Sequence, residues 1–195
     1  MKTLTVNQHR NPTNVMTVPK SSQCMSKWGI KQTLTVSPQR VSSTFQPAPP
    51  PPSTIIRLEL EALNCFETVE SQFDLWGIKF KNAIALQPSN PAFITQPDQI
   101  VLMSGPDSGF LEIDFRHPLQ YIEAQVISSQ STILSAYNSK DQEIATTYTP
   151  ASESTTAKAS VLSPTLLQIQ TEDIHKVIFS TFDGQLIINE LKLYF

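Results

Sequence analysis

The last nineteen residues of the chain, Val177 to Phe195, constrain its fold most strongly. Val177-Ile178-Phe179 precedes an Asp183-Gly184 pair, and a run rich in apolar residues, Leu186 to Phe195, follows it. Asp-Gly between two β-rich runs predicts a β-hairpin, because both residues tolerate positive φ in a tight turn. Since the sequence closes on apolar residues without a polar tail, we expect the last strand to be central to the core.

The composition favours an all-β fold. The chain has 15 prolines and 5 glycines, only 16% of its residues are charged, and Thr, Ser, Val, Ile and Gln are plentiful. These residues favour strands and turns, whereas residues that favour helices do not recur at helical spacing. A length of 195 residues suits one domain with an extension.

A proline run marks the domain boundary. Residues 46–53 read Gln-Pro-Ala-Pro-Pro-Pro-Pro-Ser, and consecutive prolines form a stiff polyproline spacer because they fix φ and lack amide donors. The alternative is a ligand for aromatic-lined grooves of a partner. We therefore predict an extended arm over residues 1–45, a spacer over 46–53 and a folded domain over 54–195.

The domain alternates apolar and polar residues with a period of two. In the first segment Ile56, Leu58, Leu60 and Ala62 share one face, and Arg57, Glu59 and Glu61 share the other, as in a half-buried strand. Further strands are predicted at Trp76–Leu86 (one, or two short ones), Ile100–Met103, Leu111–Arg116 (ended by His117-Pro118), Ile122–Val126, Leu166–Thr171, and in a hairpin from Ile133 to Tyr148 that turns at Asn138-Ser139-Lys140-Asp141. About nine closely spaced strands predict an antiparallel sandwich or barrel.

The order of segments resembles a known family over roughly Ile55 to Phe195. The matching segments are Phe66-Glu67, Val69 to Phe73, Gly77 to Ile84, Ser108 to Phe115 and Ile187 to Leu191. This pattern is similar to the galactose-binding-like jelly-roll domains of many bacterial, notably cyanobacterial, exported or uncharacterised proteins. The resemblance implies an antiparallel jelly-roll β-sandwich. Those relatives usually carry a secretion signal and often end on a paired-Asp segment, where this chain has a basic arm and Asn189-Glu190.

The charges divide the chain. Residues 1–57 contain seven basic and no acidic residues, whereas residues 58–195 contain seven basic and 17 acidic residues, a net charge of −10. Apolar residues spaced along such an arm suit a segment that lies on another surface, its own domain or a partner. Our main functional prediction is a non-catalytic interaction or structural subunit, docked by its arm to an acidic protein assembly or a membrane surface. The predicted docking residues are Lys20, Met25, Lys27, Trp28, Ile30, Lys31, Arg40 and Phe45.

The alternative function, which the resemblance implies, is a carbohydrate-binding module. Glycan binding uses exposed aromatic side chains, and the candidates are Phe93, Phe110, Tyr121, Tyr137 and Tyr148. Related jelly-rolls often hold a structural calcium where first and last strands meet, which implies Glu59, Glu61 and Glu190 as ligands; the alternative is that these carboxylates lie on solvated strand faces. Apart from that calcium we expect no cofactor.

Other classes of function find little support in the sequence. The three histidines His9, His117 and His175 lie on separate segments, unlike the ligands of a zinc site. Pro106-Asp107-Ser108-Gly109 is typical of a β-turn rather than of a protease nucleophile, so we predict a protein that is not an enzyme. The thin spread of basic residues and the scarcity of aromatic residues in the arm argue against nucleic-acid binding.

The sequence also bears on the compartment. It contains no apolar run long enough for a membrane span and no apolar signal core near Met1. We expect a cytoplasmic protein, peripheral on a membrane-associated complex if its partner is one. Cys24 and Cys65 should then be buried free thiols rather than a disulfide.

Overall fold

The structure, a computed structural model, describes residues 32–39, 54–93, 96, 98–105, 109–149, 162–181 and 185–195. In these ranges it contains eleven strands: β1 (Gln32–Val36), β2 (Thr54–Leu58), β3 (Thr68–Val69), β4 (Ile78–Lys81), β5 (Ala83–Leu86), β6 (Val101–Ser104), β7 (Phe110–Ser128), β8 (Thr132–Tyr137), β9 (Glu143–Tyr148), β10 (Thr165–Thr181) and β11 (Leu186–Tyr194). Three short 3-10 helices cover Leu60–Ala62, Asp74–Trp76 and Pro91–Phe93. The fold is an all-β sandwich, as the sequence predicts.

Two long strands, β7 and β10, take part in both layers of the sandwich. Residues 110–115 of β7 lie between β4 and β10, and β10 continues the layer to β8 and β9. Residues 121–128 of β7 lie instead between β10 and β11, and β11 continues the second layer to β6 and to β2. The register between β7 and β10 shifts around Ile174, where each strand passes from one layer to the other.

One apolar cluster fills the space between the layers. It joins Ile113, Leu134 and Phe179 of the first layer to Ile122 and Leu193 of the second, all with an exposed fraction of 0%. Period-two alternation produces this core directly, because every second residue of each strand points inward. The predicted central position of the last strand is confirmed, since Leu186, Ile188 and Leu191 are fully buried as well.

A second, smaller cluster lies on the opposite side of the second layer. Phe93, from the third 3-10 helix, packs there with Val101, Ile127 and Ile187. Burial of Phe93 anchors the segment after β5 over this outer surface, and the backbone N–H of Leu162 bonds to the carbonyl of Ala92 at 2.9 Å. Phe93 and its segment therefore cover one end of this surface.

Part of the predicted arm belongs to the sandwich. Strand β1 pairs in parallel with β2, from Gln32 opposite Thr54 to Val36 opposite Leu58. The Val36 side chain is buried, and the Ser37 hydroxyl donates a hydrogen bond to the carboxylate of Glu59. This segment lies on its own domain, which was one of the two predicted roles of the arm. No finding tests the boundaries at 45 and 53, which stay predictions.

Three sequence predictions about strands are wrong. The final hairpin is not formed, because β10 and β11 pair on opposite sides of β7 and not with each other; Asp183-Gly184 lies outside the described residues. His117-Pro118 does not end a strand but lies within β7. The first strand stops at Leu58, so Glu61 lies in a 3-10 helix and not beside Glu59 on a strand. The antiparallel pattern also has one exception, the parallel pair of β1 and β2.

Candidate functional site

A β-bulge in β11 creates the most distinctive polar site of the described chain. Ile188 lies opposite Val126 of β7 and Glu190 lies opposite Gln125, so Asn189 is an extra residue in the ladder. On its other side, β11 pairs with β6 only at Ile187–Ile188 and with β2 only from Lys192. Bulges redirect side chains and interrupt pairing, and this one leaves a gap in the sheet.

A cavity of about 170 Å³ occupies this gap. The bulge turns both Asn189 and Glu190 toward it, and Gln96 and Gln99, which follow the buried Phe93 in sequence, line it as well. The lining is almost entirely polar; it consists of Arg57, Glu61, Gln96, Gln99, Gln125, Pro164, Asn189 and Glu190. Four of these eight residues carry side-chain amides, each of which both donates and accepts hydrogen bonds.

Asn189 has an unsatisfied acceptor at this site. Its Nδ2 approaches Oε1 of Gln125 at 3.5 Å, whereas its Oδ1 is buried and has no hydrogen-bond partner among the described residues. Buried polar atoms in native proteins nearly always have a partner, and each exception requires a reason. A ligand hydroxyl group in the cavity would supply that partner.

A chain of ion pairs leads from the cavity along the outer surface of the second layer. Glu190 Oε1 accepts a hydrogen bond from Arg57 Nε at 3.0 Å and lies 3.7 Å from Lys192 Nζ. Lys192 Nζ donates to Glu123 at 2.8 Å, and the Tyr121 hydroxyl donates to the same carboxylate at 3.3 Å. The hydrogen bond to Glu123 raises the pKa of Lys192. The two cations and two carboxylates of these ion pairs balance one another, and Glu61 is a further carboxylate in the cavity lining.

Two tyrosines close this surface at the end away from the cavity. The rings of Tyr121 and Tyr194 are edge-to-face, with centroids 4.6 Å apart and an interplanar angle of 75°. Burial, followed by the charge of Glu123, raises the pKa of Tyr121 to about 12, and burial raises the pKa of Tyr194. Both hydroxyls therefore stay protonated at neutral pH and can donate or accept hydrogen bonds.

We call this outer surface of the second layer the β11 face. Its outward residues come from facing register positions of neighbouring strands, while their neighbours in sequence point into the core. It is composed of Ile55, Arg57, Tyr121, Glu123, Gln125, Leu166, Gln168, Gln170, Glu190, Lys192 and Tyr194.

The glycan-binding candidates do not form one site. Tyr121 lies on the β11 face, whereas Phe93 is a buried anchor with an exposed fraction of 6%. Phe110, Tyr137 and Tyr148 lie on the outer surface of the first layer, which we call the β8 face. There Tyr148 is 72% exposed beside Ile133, and Lys176 Nζ lies 5.1 Å from the ring centroid of Tyr137.

The three predicted calcium ligands do not form one site either. Glu61 and Glu190 line the cavity, but Glu59 is hydrogen-bonded to Ser37 and does not line it. No group of three or more His, Cys, Asp or Glu side chains in the described ranges is arranged to hold a metal ion. Calcium binding stays a prediction to which this geometry adds no support.

Other predicted residues fall outside the described part. All eight docking residues of the arm (Lys20, Met25, Lys27, Trp28, Ile30, Lys31, Arg40 and Phe45), together with Cys24, lie in ranges that the structure does not describe. Cys65 is a free thiol, but it is exposed and not buried as expected. No helix within the described ranges is long and apolar enough to cross a membrane.

Sequence reasoning missed Arg57, Gln96, Gln99, Gln125 and Asn189. These residues come from β2, the segment before β6, β7 and β11, so only the folded sheet brings them together. The one local signal is Asn189-Glu190, two adjacent polar residues inside an apolar strand, which is typical of a bulge.

Comparison with known proteins finds distant similarity to solved structures only. No family model and no curated protein matches the sequence. Among solved structures, the K2 cleaved adhesin domain of Lys-gingipain is 8% identical, with a TM-score of 0.38, over 61% of this chain and 89% of that one. A family 29 carbohydrate-binding module from Piromyces equi is 10% identical, with a TM-score of 0.38, over 60% and 79% of the two chains. Similarity at this level carries no inference about ligands.

Proposed function

We propose that this chain is a non-catalytic carbohydrate-binding domain whose ligand enters the cavity at the bulge of β11. The observation that carries the proposal is the amide-rich lining together with the Oδ1 of Asn189, which has no hydrogen-bond partner within the described ranges. Sugar hydroxyls both donate and accept hydrogen bonds, and they match side chains that do the same. A cavity of about 170 Å³ is comparable in size to one sugar ring.

The charges of the lining favour a neutral sugar. Among the lining side chains, Arg57 is the one cation, against the carboxylates of Glu61 and Glu190. Arg57 is also engaged by Glu190 at 3.0 Å. A uronic acid or a sulfated sugar would therefore meet an excess of negative charge, whereas neutral hydroxyls can bond to both charged and amide groups.

Binding rather than hydrolysis fits the carboxylates. A glycosidase needs one carboxyl group that donates a proton and a second that acts as base or nucleophile. Glu190 instead holds ion pairs with Arg57 and Lys192, which is the role of a structural carboxylate. We expect a bound saccharide to be recovered intact after long incubation, as mass spectrometry would check.

A glycan array followed by calorimetry tests the proposal. The chain should bind neutral glycans, and Gln125→Ala should weaken binding about tenfold, since one hydrogen bond to a ligand contributes about 1–1.5 kcal/mol. Gln130→Ala is the matched control, because Gln130 is exposed in the turn between β7 and β8, away from the cavity. Absence of binding to every glycan, or equal binding by the Gln125 and Gln130 variants, would contradict the proposal.

The docking of the arm to a partner remains a separate prediction. Its residues lie outside the described ranges, and the one arm segment that is described pairs with β2 of its own domain. That contact favours an arm that completes the domain, at least over Gln32–Val36.

A further inference from the structure

The β11 face continues from the cavity in two ordered rows, the first of which includes the lining residue Arg57. In the first row Arg57 lies opposite Lys192, which lies opposite Glu123. In the second row, one strand repeat farther from the cavity, Ile55 lies opposite Tyr194, which lies opposite Tyr121. Both rows point outward, because Ile56, Ile122 and Leu193 between them are fully buried. A ligand in the cavity therefore has a continuous surface beside it.

The two rows offer different chemistry. The Lys192–Glu123 pair, at 2.8 Å, presents a donor and an acceptor side by side, which suits two neighbouring hydroxyl groups. The Tyr121–Tyr194 pair presents aromatic rings in a fixed edge-to-face arrangement, on which the C–H face of a sugar ring can pack. Exposed amides at Gln168 and Gln170 flank these rows on β10.

The geometry sets the length of a ligand that uses the whole surface. Gln125, in the cavity wall, and Tyr121 are four residues apart on β7, and the rise of an antiparallel strand makes this roughly 13 Å. That distance matches a trisaccharide. A single sugar ring in the cavity would not reach the tyrosine pair.

We infer, on the basis of the proposed saccharide binding, that the ligand is a neutral oligosaccharide of at least three units. One unit occupies the cavity beside Gln125 and Asn189. The chain then runs along β11, over the Lys192–Glu123 pair, and ends on Tyr121 and Tyr194. The tyrosine pair is a second subsite that selects for chain length, and it contributes nothing to the binding of a monosaccharide.

Calorimetry on the full chain tests this inference. The probes are glucose, mannose and galactose, the β-1,4-linked trisaccharide of each, and trigalacturonic acid. The trisaccharide of the preferred sugar should bind about tenfold or more tightly than its monosaccharide, since a second subsite on one ligand adds avidity. Tyr194→Ala should abolish that advantage and leave the monosaccharide affinity unchanged. Tyr148→Ala, at an exposed tyrosine of the β8 face, is the matched control and should change neither affinity.

Each outcome separates the inference from the proposed function. Equal affinity of the wild-type chain for monosaccharide and trisaccharide overturns the inference without any variant, while monosaccharide binding that Gln125→Ala weakens leaves the proposed function standing. A Tyr194→Ala variant that weakens both ligands equally also overturns the second subsite. Tighter binding of trigalacturonic acid than of the neutral trisaccharides overturns the neutral class. Binding of none of these probes overturns the inference and, with a negative glycan array, the proposed function.

Discussion

Asn189 is the residue that separates binding from stability most clearly in this proposal. Its Oδ1 is buried and has no hydrogen-bond partner in the part of the chain that the structure describes, which costs free energy in the unliganded fold. We predict that Asn189→Ala leaves the free energy of unfolding unchanged or raises it by up to about 1 kcal/mol, while it weakens saccharide binding. Urea denaturation and calorimetry measure the two effects separately.

Asn138 provides the matched control for that substitution. Its Oδ1 accepts hydrogen bonds from the backbone N–H groups of Lys140 and Gln142, at 2.9 and 3.1 Å, in the β8–β9 turn. Asn138→Ala should therefore lower the free energy of unfolding by about 1–2 kcal/mol. If Asn189→Ala destabilises the protein as much as Asn138→Ala does, the idea of a side chain kept for a ligand is wrong.

Tyr121 makes the stability of the β11 face depend on alkaline pH. Its pKa is raised to about 12 in the folded state by burial and by Glu123, whereas an unfolded tyrosine titrates near 10. Above pH 10 the unfolded chain loses this proton first, so the stabilisation is fully present below pH 10 and is lost as the pH rises toward 12. Tyr121→Phe should flatten the fall in melting temperature over this window, relative to wild type. An identical fall in Tyr121→Phe and in the exposed-site control Tyr148→Phe would contradict the assignment.

At the scale of strands, the sequence correctly predicts the features that depend on neighbouring residues. The β8–β9 hairpin follows the predicted segments and turn, because the Asn138 side chain itself closes the turn. Trp76–Leu86 forms two short strands, β4 and β5, which was one of the two predicted forms, with Asn82 between them at φ 58. Both features depend on residues that are near one another in sequence.

The predictions are wrong where the structure depends on pairing between strands that are distant in sequence. Pro118 lacks a backbone donor, so the sequence predicts a strand end. In the structure, residues 115–118 of β7 have no partner in β10 among the described residues. The missing backbone N–H of Pro118 is therefore tolerated, because it falls where β7 passes from one layer to the other. A turn signal at Asp183-Gly184 likewise cannot show that β7 lies between β10 and β11. The sequence does not predict the cavity for the same reason, because its lining comes from a bulge in β11 and from residues of distant segments.

Strand β1 provides a test of how the arm joins the domain. Val36 is 1% exposed, whereas Leu34 in the same strand is 36% exposed. Val36→Ala should lower the free energy of unfolding by about 1–3 kcal/mol, from lost burial and the cavity that remains. Leu34→Ala, the control, should lower it by less than about 0.5 kcal/mol. Equal and negligible effects of the two substitutions in urea denaturation would show that β1 does not pack on β2 in solution.

For the whole molecule, the packing of β1 on β2 affects the stability of a fragment that lacks the arm. Residues 54–195 contain ten of the eleven described strands and the main apolar cluster except Val36. We predict that this fragment still unfolds cooperatively, and that it is less stable than the full chain by about 1.5–3 kcal/mol because Val36 is lost. Calorimetric melting of both chains measures this. A fragment without a cooperative transition would show that the spacer does not separate the arm from an autonomous domain.

The sandwich has two outer faces, and both carry aromatic residues. The β8 face has the more exposed aromatic side chain, Tyr148 at 72%. The β11 face has the cavity, the paired tyrosines and the Asn189 oxygen, which has no partner among the described residues. Assignment of the site to the β11 face follows from the polar cavity and the buried Oδ1 of Asn189 that faces it, rather than from exposed apolar area. A measurement that reports on both faces at once can decide between them.

The most direct measurement is a titration of the isotopically labelled chain with the preferred neutral trisaccharide, followed by amide and side-chain NMR shifts. The account predicts that the largest shifts occur at Gln99, Gln125, Asn189 and Glu190, with smaller ones at Tyr121 and Tyr194. It also predicts that the β8 face, reported by Ile133, Tyr137 and Tyr148, stays unperturbed. Shifts confined to the β8 face, with the cavity residues unchanged, would contradict the account.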